Sequence, residues 1–318
     1  MKLKSTIFAL GLFVFNQVSA METTGVVVSI KPLHSLVSGV IGNTGKAELL
    51  VSGNTSPHDF NLKPSQVKML QTAKVVFYID ESFETFLRGA LETLSDKVRT
   101  ASVAQKASLT LLSYRKGGTW EKHKHDEYEK HKHEEHAHKD DGEHHDNHDE
   151  NMHVWLDPEN TGRIVKYIAR ELGAIYPKHR KTYQKNASAY IRKIKAMDAE
   201  LKSSLKSLQD QPFVVFHDAY QYFENAYGLN AVGSITFEPG ESPSPTRIKE
   251  VRDKLLQVRA KCVFREPQFS DRLVKTVIEG TDAKSGTLDP LGAGLEDGPS
   301  LYFNLMRNLG QNLKQCLE

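Results

Sequence analysis

Of the fourteen histidines in this 318-residue chain, nine crowd into residues 121–150, EKHKHDEYEKHKHEEHAHKDDGEHHDNHDE. These are His123, His125, His131, His133, His136, His138, His144, His145 and His148. Imidazole is the commonest side-chain metal ligand, and spacings such as His123-Lys-His125 and His144-His145 permit many alternative two- or three-histidine arrangements. The intervening carboxylates raise the local cation concentration. Each ion bound there must order a chain segment with no structure-forming pattern, so binding is expected to be weak and multiple.

The remaining five are His34, His58, His153, His179 and His217. Three of them follow predicted strands: His58 in NTSPHDF, His153 at the start of HVWLDP, and His217 at the end of FVVFHD. Ligands of open parallel sheets bind beyond the carboxyl ends of the strands, so these three can converge from distant parts of the chain. Asp289, in GTLDPLG, takes an equivalent place after the last predicted strand. Three neutral imidazoles with a carboxylate or water suit tetrahedral Zn²⁺, at Zn–N distances of about 2.0–2.1 Å. Manganese, magnesium or calcium would call for more oxygen ligands. His34, in KPLHSL, reads as a satisfied or supporting histidine, and His179 as part of a solvated cationic cluster with Lys178, Arg180 and Lys181. Trp155 and Phe60 read as packing that dries the surroundings, and Glu224 and Glu238 as solvated acids. Asp157 and Pro158 read as the N-cap and first residue of a helix.

The elements that must position these residues are legible in the apolar pattern. Short runs rich in β-branched residues at 26–30, 48–52, 75–80 and 98–102 alternate with helical patterns, and the alternation recurs at 213–218, 231–235, 262–266 and 286–288. This predicts an α/β fold of two lobes, each a parallel-type sheet flanked by helices. Between them, Tyr183, Ala187, Tyr190, Ile194, Met197, Leu201, Leu205 and Leu208 keep steps of three and four. One long linker helix over 178–208 is expected, spanning about 45 Å and resisting large hinge motion. The N-terminal lobe then covers 21–177 and the C-terminal lobe 209–318. The histidine-rich stretch, with almost no apolar residues from 117 to 151, reads as a mobile insertion in the first lobe.

Residues 1–20, MKLKSTIFALGLFVFNQVSA, have a charged start, a short apolar run and small residues before a cleavage point after Ala20. They read as a cleavable secretory signal, which implies a soluble, exported, periplasmic chain without membrane insertion. With 42 basic and 40 acidic residues there is no basic stripe, so nucleic acid is excluded as an expected partner. The only two cysteines, Cys262 and Cys316, are expected to pair in an oxidising compartment, the alternative being two separate buried thiols.

The order of SIKPLHSLV, SPHDFNLKPSQ, HVWLDPEN, VVFHDAYQYFE, GESPSPTRI, CVFREPQF and GTLDPLG, with a histidine-rich insertion before HVWLDP, resembles the ZnuA-type periplasmic zinc-binding proteins of ABC transporters. The resemblance covers essentially all of the mature chain. It implies two α/β lobes joined by one long helix, His58, His153 and His217 as the metal ligands, and a Cys262–Cys316 disulfide. It implies Zn²⁺ as the transported ligand, an inner-membrane ABC zinc permease as the partner, and a monomeric binding protein that is not an enzyme. Some zinc-binding relatives have a glutamate immediately before the first ligand histidine, where this chain has Pro57; manganese-binding relatives have a glutamate in place of His217. The fourth position therefore falls to Asp289, directly or through water, with water alone as the alternative. The rival readings are a manganese or iron carrier of the same architecture, a metal buffer dominated by its insertion, and a secreted zinc hydrolase or hydratase. No HExxH motif supports the last.

Overall fold

The computed structural model describes residues 23–120, 150–237, 240 and 242–318. The expected secretory signal, the nine histidines of the insertion and Glu238 lie outside the described residues. The first lobe runs β1 (Thr23–Ile30), α1 (Lys31–Ile41), β2 (Gly45–Val51), α2 (Pro64–Thr72), β3 (Val75–Tyr78), α3 (Arg88–Glu92), β4 (Arg99–Ser102) and α4 (Val103–Lys106). A short ladder of β5 (Leu112–Ser113) and β6 (Glu150–Asn151) brackets the insertion, and α5 (Pro158–Ile175) leads to the linker helix α6 (Arg180–Ser204). The second lobe follows as β7 (Pro212–Val215), α7 (Gln221–Tyr227), β8 (Asn230–Ser234), α8 (Pro245–Val258), β9 (Cys262–Arg265), α9 (Arg272–Ile278), β10 (Lys284–Thr287) and α10 (Leu301–Leu317).

Each lobe has a four-stranded parallel sheet, ordered β2-β1-β3-β4 in the first and β10-β9-β7-β8 in the second. β1 and β7 occupy matching places, each flanked by the strand that follows it on one side and the third strand of its lobe on the other. The chain reverses its direction of winding there, which opens a crevice at the carboxyl ends of those strands. Continuous apolar runs suit these central strands, buried on both faces by helices; Val26, Val27, Val28 and Ile30 are all buried.

The observed strands match the eight expected ones in place, but β7 stops at Val215, short of the expected 218, because Phe216, His217 and Asp218 leave the ladder. The expected linker helix is shorter too. Its 25 residues, about 38 Å long, are flanked by 3₁₀ turns at Pro177–His179 and Lys206–Leu208. Tyr183, Ala187, Tyr190, Ile194, Met197 and Leu201 form its buried stripe. Glycine permits the close approach on both sides: a Cβ on Gly39 of α1 would fall 2.3 Å from the Tyr190 ring, and one on Gly310 of α10 would fall 2.8 Å from Leu201.

One apolar core runs from β1 through α5, α6 and α10 to the inner face of the second sheet, including Phe213, Val215 and Phe264. A smaller core, with Val214, Phe216, Val232, Val251, Leu255, Val263, Val274 and Val277, lies under α8 and α9 on that sheet's outer face. Cys262 and Cys316 form a disulfide between the start of β9 and the end of α10. No helix among the described residues is long and apolar enough to cross a membrane.

The limits expected for the insertion need correction at both ends. Gly118 and Trp120 are buried, Trp120 N–H donates to the Val232 carbonyl (2.8 Å), and Thr119 bridges Gly233 antiparallel, so this stem extends the edge of the second lobe's sheet at β8. At the returning end, Glu150 and Asn151 pair with Ser113 and Leu112. Trp120 carries enough apolar surface to dock, and the sequence composition around it obscured that.

Candidate metal centre

His58, His153 and His217 come together between the lobes, each offering one ring nitrogen, and these nitrogens all lie within 4.8 Å of one another. His58 sits in the 3₁₀ turn Pro57–Asp59 after β2; Ser56 Oγ caps the turn by accepting the His58 backbone N–H at 3.2 Å. His153 follows β6 and opens the turn Val154–Leu156. Asp157 then caps α5, accepting the N–H groups of Glu159 and Asn160, with Pro158 in the first turn as expected. His217 lies two residues past the end of β7, at the strand where the second sheet reverses its winding.

The Nε2 atoms of His153 and His217 are 3.2 Å apart. Two imidazole nitrogens held at about 2.0–2.1 Å by one tetrahedral zinc stand about 3.3 Å from each other, so this pair is already spaced for a shared ion. His58 Nε2 is buried and has no hydrogen-bond partner among the described residues. His217 Nδ1 faces Glu266 Oε1 at 2.7 Å, and His153 Nδ1 faces Asn151 Oδ1 at 2.8 Å. Partners at Nδ1 of this kind orient metal-binding imidazoles and leave Nε2 as the donor atom.

Phe83 and Trp155 wall the site, with ring centroids 4.8 Å from His58 and 5.3 Å from His153 respectively. Trp155 Nε1–H donates to the Pro290 carbonyl (2.8 Å), tying that wall to the second lobe. In this dry setting, burial pushes the His58 pKa down to about 3, helped by the charge His217 would carry. Burial lowers His153 well below the ordinary imidazole range as well, with His217 and His58 adding to it. Both rings are therefore neutral at pH 7, with lone pairs free for a metal. The cavity bounded by these histidines, Pro57, Glu266, Phe269 and Leu291 holds about 10 Å³, close to the volume of a single water-sized sphere. Larger hollows of about 470 and 800 Å³ lie along α5 and α6 and contain no histidine.

Asp289 is not brought into the histidine set. Its Oδ1 accepts from the backbone N–H of Leu291 and Gly292 and from Gln268 Nε2, and its Oδ2 accepts from Ala293 N–H at 2.6 Å. The loop's own amides thus claim the carboxylate. His34 Nε2 meets the Ala47 carbonyl at 3.1 Å, and His179 lies beside the Tyr183 ring, both outside the set. Phe60 packs on Phe86 as expected. Glu224, expected in solvent, is buried and receives two hydrogen bonds from Arg115 (2.8 and 3.0 Å). Sequence reasoning misses two supporting residues: Glu266, one residue past β9, and Asn151. A polar residue directly past a strand end was the one available cue for Glu266.

A cluster of three converging imidazoles set in the crevice between two α/β lobes, with a rod-like helix joining them, defines a two-lobed metal-ion-binding protein. The family model "Zinc-uptake complex component A periplasmic", ZnuA, matches residues 26–316, and the chain belongs to this family. It is 48% identical over 310 residues to the high-affinity zinc uptake system protein ZnuA of Brucella abortus, covering 94% of this chain and 93% of the relative. The Yersinia pestis protein of the same description is 31% identical over 319 residues, covering 99% and 98%. Among solved structures, a crystal structure of ZnuA superposes with a TM-score of 0.75 at 25% identity, covering 92% of this chain and 98% of that one. The laminin-binding protein Lmb of Streptococcus agalactiae, described as an adhesin with metal transporting activity, superposes at 0.73 with 25% identity over 92% and 98%.

Proposed function

We propose that this chain is the periplasmic zinc-binding component of an ABC importer, which takes Zn²⁺ between its lobes through His58, His153 and His217 and hands it to an inner-membrane permease. The observation that carries this reading is the convergence of three ring nitrogens within 4.8 Å of one another, two of them at the spacing a tetrahedral zinc imposes. Membership of the zinc-uptake family supports it, as do the zinc-uptake functions of the relatives. The donor set favours zinc over manganese because no carboxylate belongs to it, and harder cations select oxygen. A hydrolase role fits poorly, since a catalytic zinc must keep a position open to substrate, and about 10 Å³ admits little beyond an ion. Water is the simplest fourth ligand. Export through residues 1–20 and a monomeric state belong to the same reading, and the nine insertion histidines add weaker accessory binding.

Zinc competition against a chromophoric chelator tests the ligand set, using protein that lacks residues 121–149 so that only the tight site is counted. The expected result is one site, weakened at least about a hundredfold by His58→Ala, His153→Ala or His217→Ala, since each removes a bond from an incomplete shell. Wild-type affinity in any one of these variants would remove that residue from the set.

A further inference from the structure

Asn151 is fully buried and lies two residues before His153, where the chain re-enters the described fold. Its amide orientation is fixed by two neighbours of opposite kind. The backbone N–H of His153 donates to Oδ1 (3.1 Å), and Nδ2 donates to the Asp218 carbonyl (2.7 Å) and to Gln221 Oε1 (3.2 Å). Turning the amide over would set donor against donor at His153 and acceptor against acceptor at Asp218. The atom 2.8 Å from His153 Nδ1 is therefore the oxygen. An amide oxygen only accepts, so the ring proton must sit on Nδ1 and the lone pair on Nε2. That Nε2 is the atom that faces His217 at 3.2 Å.

We propose that Asn151 is a positioning residue for metal capture: it holds His153 in the tautomer whose Nε2 can bind and, through the Asp218 carbonyl, locks this ring to the backbone that carries His217. The proposal rests on the reading of these histidines as ligands. His217 is oriented differently, by the buried carboxylate of Glu266. One ring thus takes its orientation from an acid and the other from a neutral amide, which fixes His153 without adding charge to the pocket. Tyr222 Oη–H donates to the Asn151 carbonyl (2.7 Å), and β6 pairs with β5, so the amide is itself anchored on two sides. The base of the insertion thereby becomes part of the site's support. Without an acceptor at Nδ1, the proton is free to move to Nε2, where it blocks the metal.

Two measurements on the full chain decide the matter. In ¹⁵N-histidine spectra of the metal-free wild-type protein, His153 should appear as the Nδ1–H tautomer; a proton on Nε2 would overturn the proposal without any substitution. In zinc competition, Asn151→Leu, close in volume but without the acceptor, should bind about 10–100-fold more weakly. Asn151→Asp, which restores the oxygen at Nδ1, should recover most of that loss. Affinity of Asn151→Leu within about threefold of wild type, while His153→Ala abolishes tight binding, would reject the role of Asn151 alone. Wild-type affinity in His153→Ala would instead reject the ligand reading beneath it.

Discussion

His217 and Asp218 are neighbours in the chain, yet their side chains enter two buried polar clusters of opposite construction. Asp218 joins Glu224 in holding the Arg115 guanidinium, whose side chain is only 8% exposed and which lies 3.5 Å over the Trp120 ring. Arg115 Nε donates to both Asp218 oxygens (3.1 and 3.0 Å). Burial opposes the charge on Arg115, and the two carboxylates more than offset it, so its pKa rises above the ordinary guanidinium value. His217 joins His58 and His153 in a cluster whose three ring nitrogens lie within 4.8 Å of one another. The contrast separates scaffold from receptor. A buried cluster that carries its own counter-charge fixes the stem of the insertion to the second lobe, whereas one that gathers imidazole nitrogens supplies the donors that an ion from outside would need.

The contrast predicts opposite sensitivities. The largest effect on folding should come from Arg115→Met, which strands two buried carboxylates and should lower the unfolding free energy by about 3–5 kcal/mol. His58→Ala should cost the metal-free protein only about 1 kcal/mol at pH 7. Urea denaturation of both variants checks this, and a small cost for Arg115→Met would collapse the distinction.

A smaller effect sharpens the histidine side. With the folded pKa of His58 at about 3, the unfolded chain binds its proton near the ordinary value of about 6.5 and the folded one does not. Between these values the unfolded state holds more protons, so stability rises with pH and is lost on acidification. The stability of the metal-free wild type relative to His58→Ala should therefore fall by at most about 2 kcal/mol between pH 7 and pH 5. A difference that stays flat would mean that the ring is solvated and not held neutral.

The smallest metal effect is expected from Asp289→Ala. Its carboxylate serves the N–H groups of Leu291, Gly292 and Ala293, so stability should drop by about 1–3 kcal/mol, while zinc affinity changes less than about tenfold. A hundredfold loss in the same competition assay would instead put Asp289 on the metal and give that side of the site an acid like those around Arg115.

Much of this was legible because it depends on local pattern. The strands are legible in short β-branched runs and α6 in its step of three and four; of the three histidines only His217 stands directly past a sheet strand, since His58 lies well beyond β2 and His153 follows the short antiparallel β6. What is not legible depends on long-range meetings. Glu224 looks like any acid on a short helix until Arg115, 109 residues earlier, is placed against it. Asn151 sits in a polar stretch whose composition matches the insertion, and only the fold reveals that its amide is caught between His153 and Asp218. Asp289 does follow a strand, as its sequence context implies, but its loop folds back to saturate the carboxylate, and such backbone geometry leaves little trace in residue types.

The two apolar cores have a consequence for how the molecule breathes. The larger runs without a break across both lobes through α6 and α10, so the lobes cannot part without disrupting most of the protein's packing. Local opening is cheapest where fewest apolar contacts must be given up, and that is the smaller core under α8 and α9. Phe269 belongs to this layer, stacked on Phe216 at 4.8 Å, and it also forms one wall of the histidine cavity. The layer that gives way most cheaply therefore borders the histidine cavity through Phe269, on the second lobe's side.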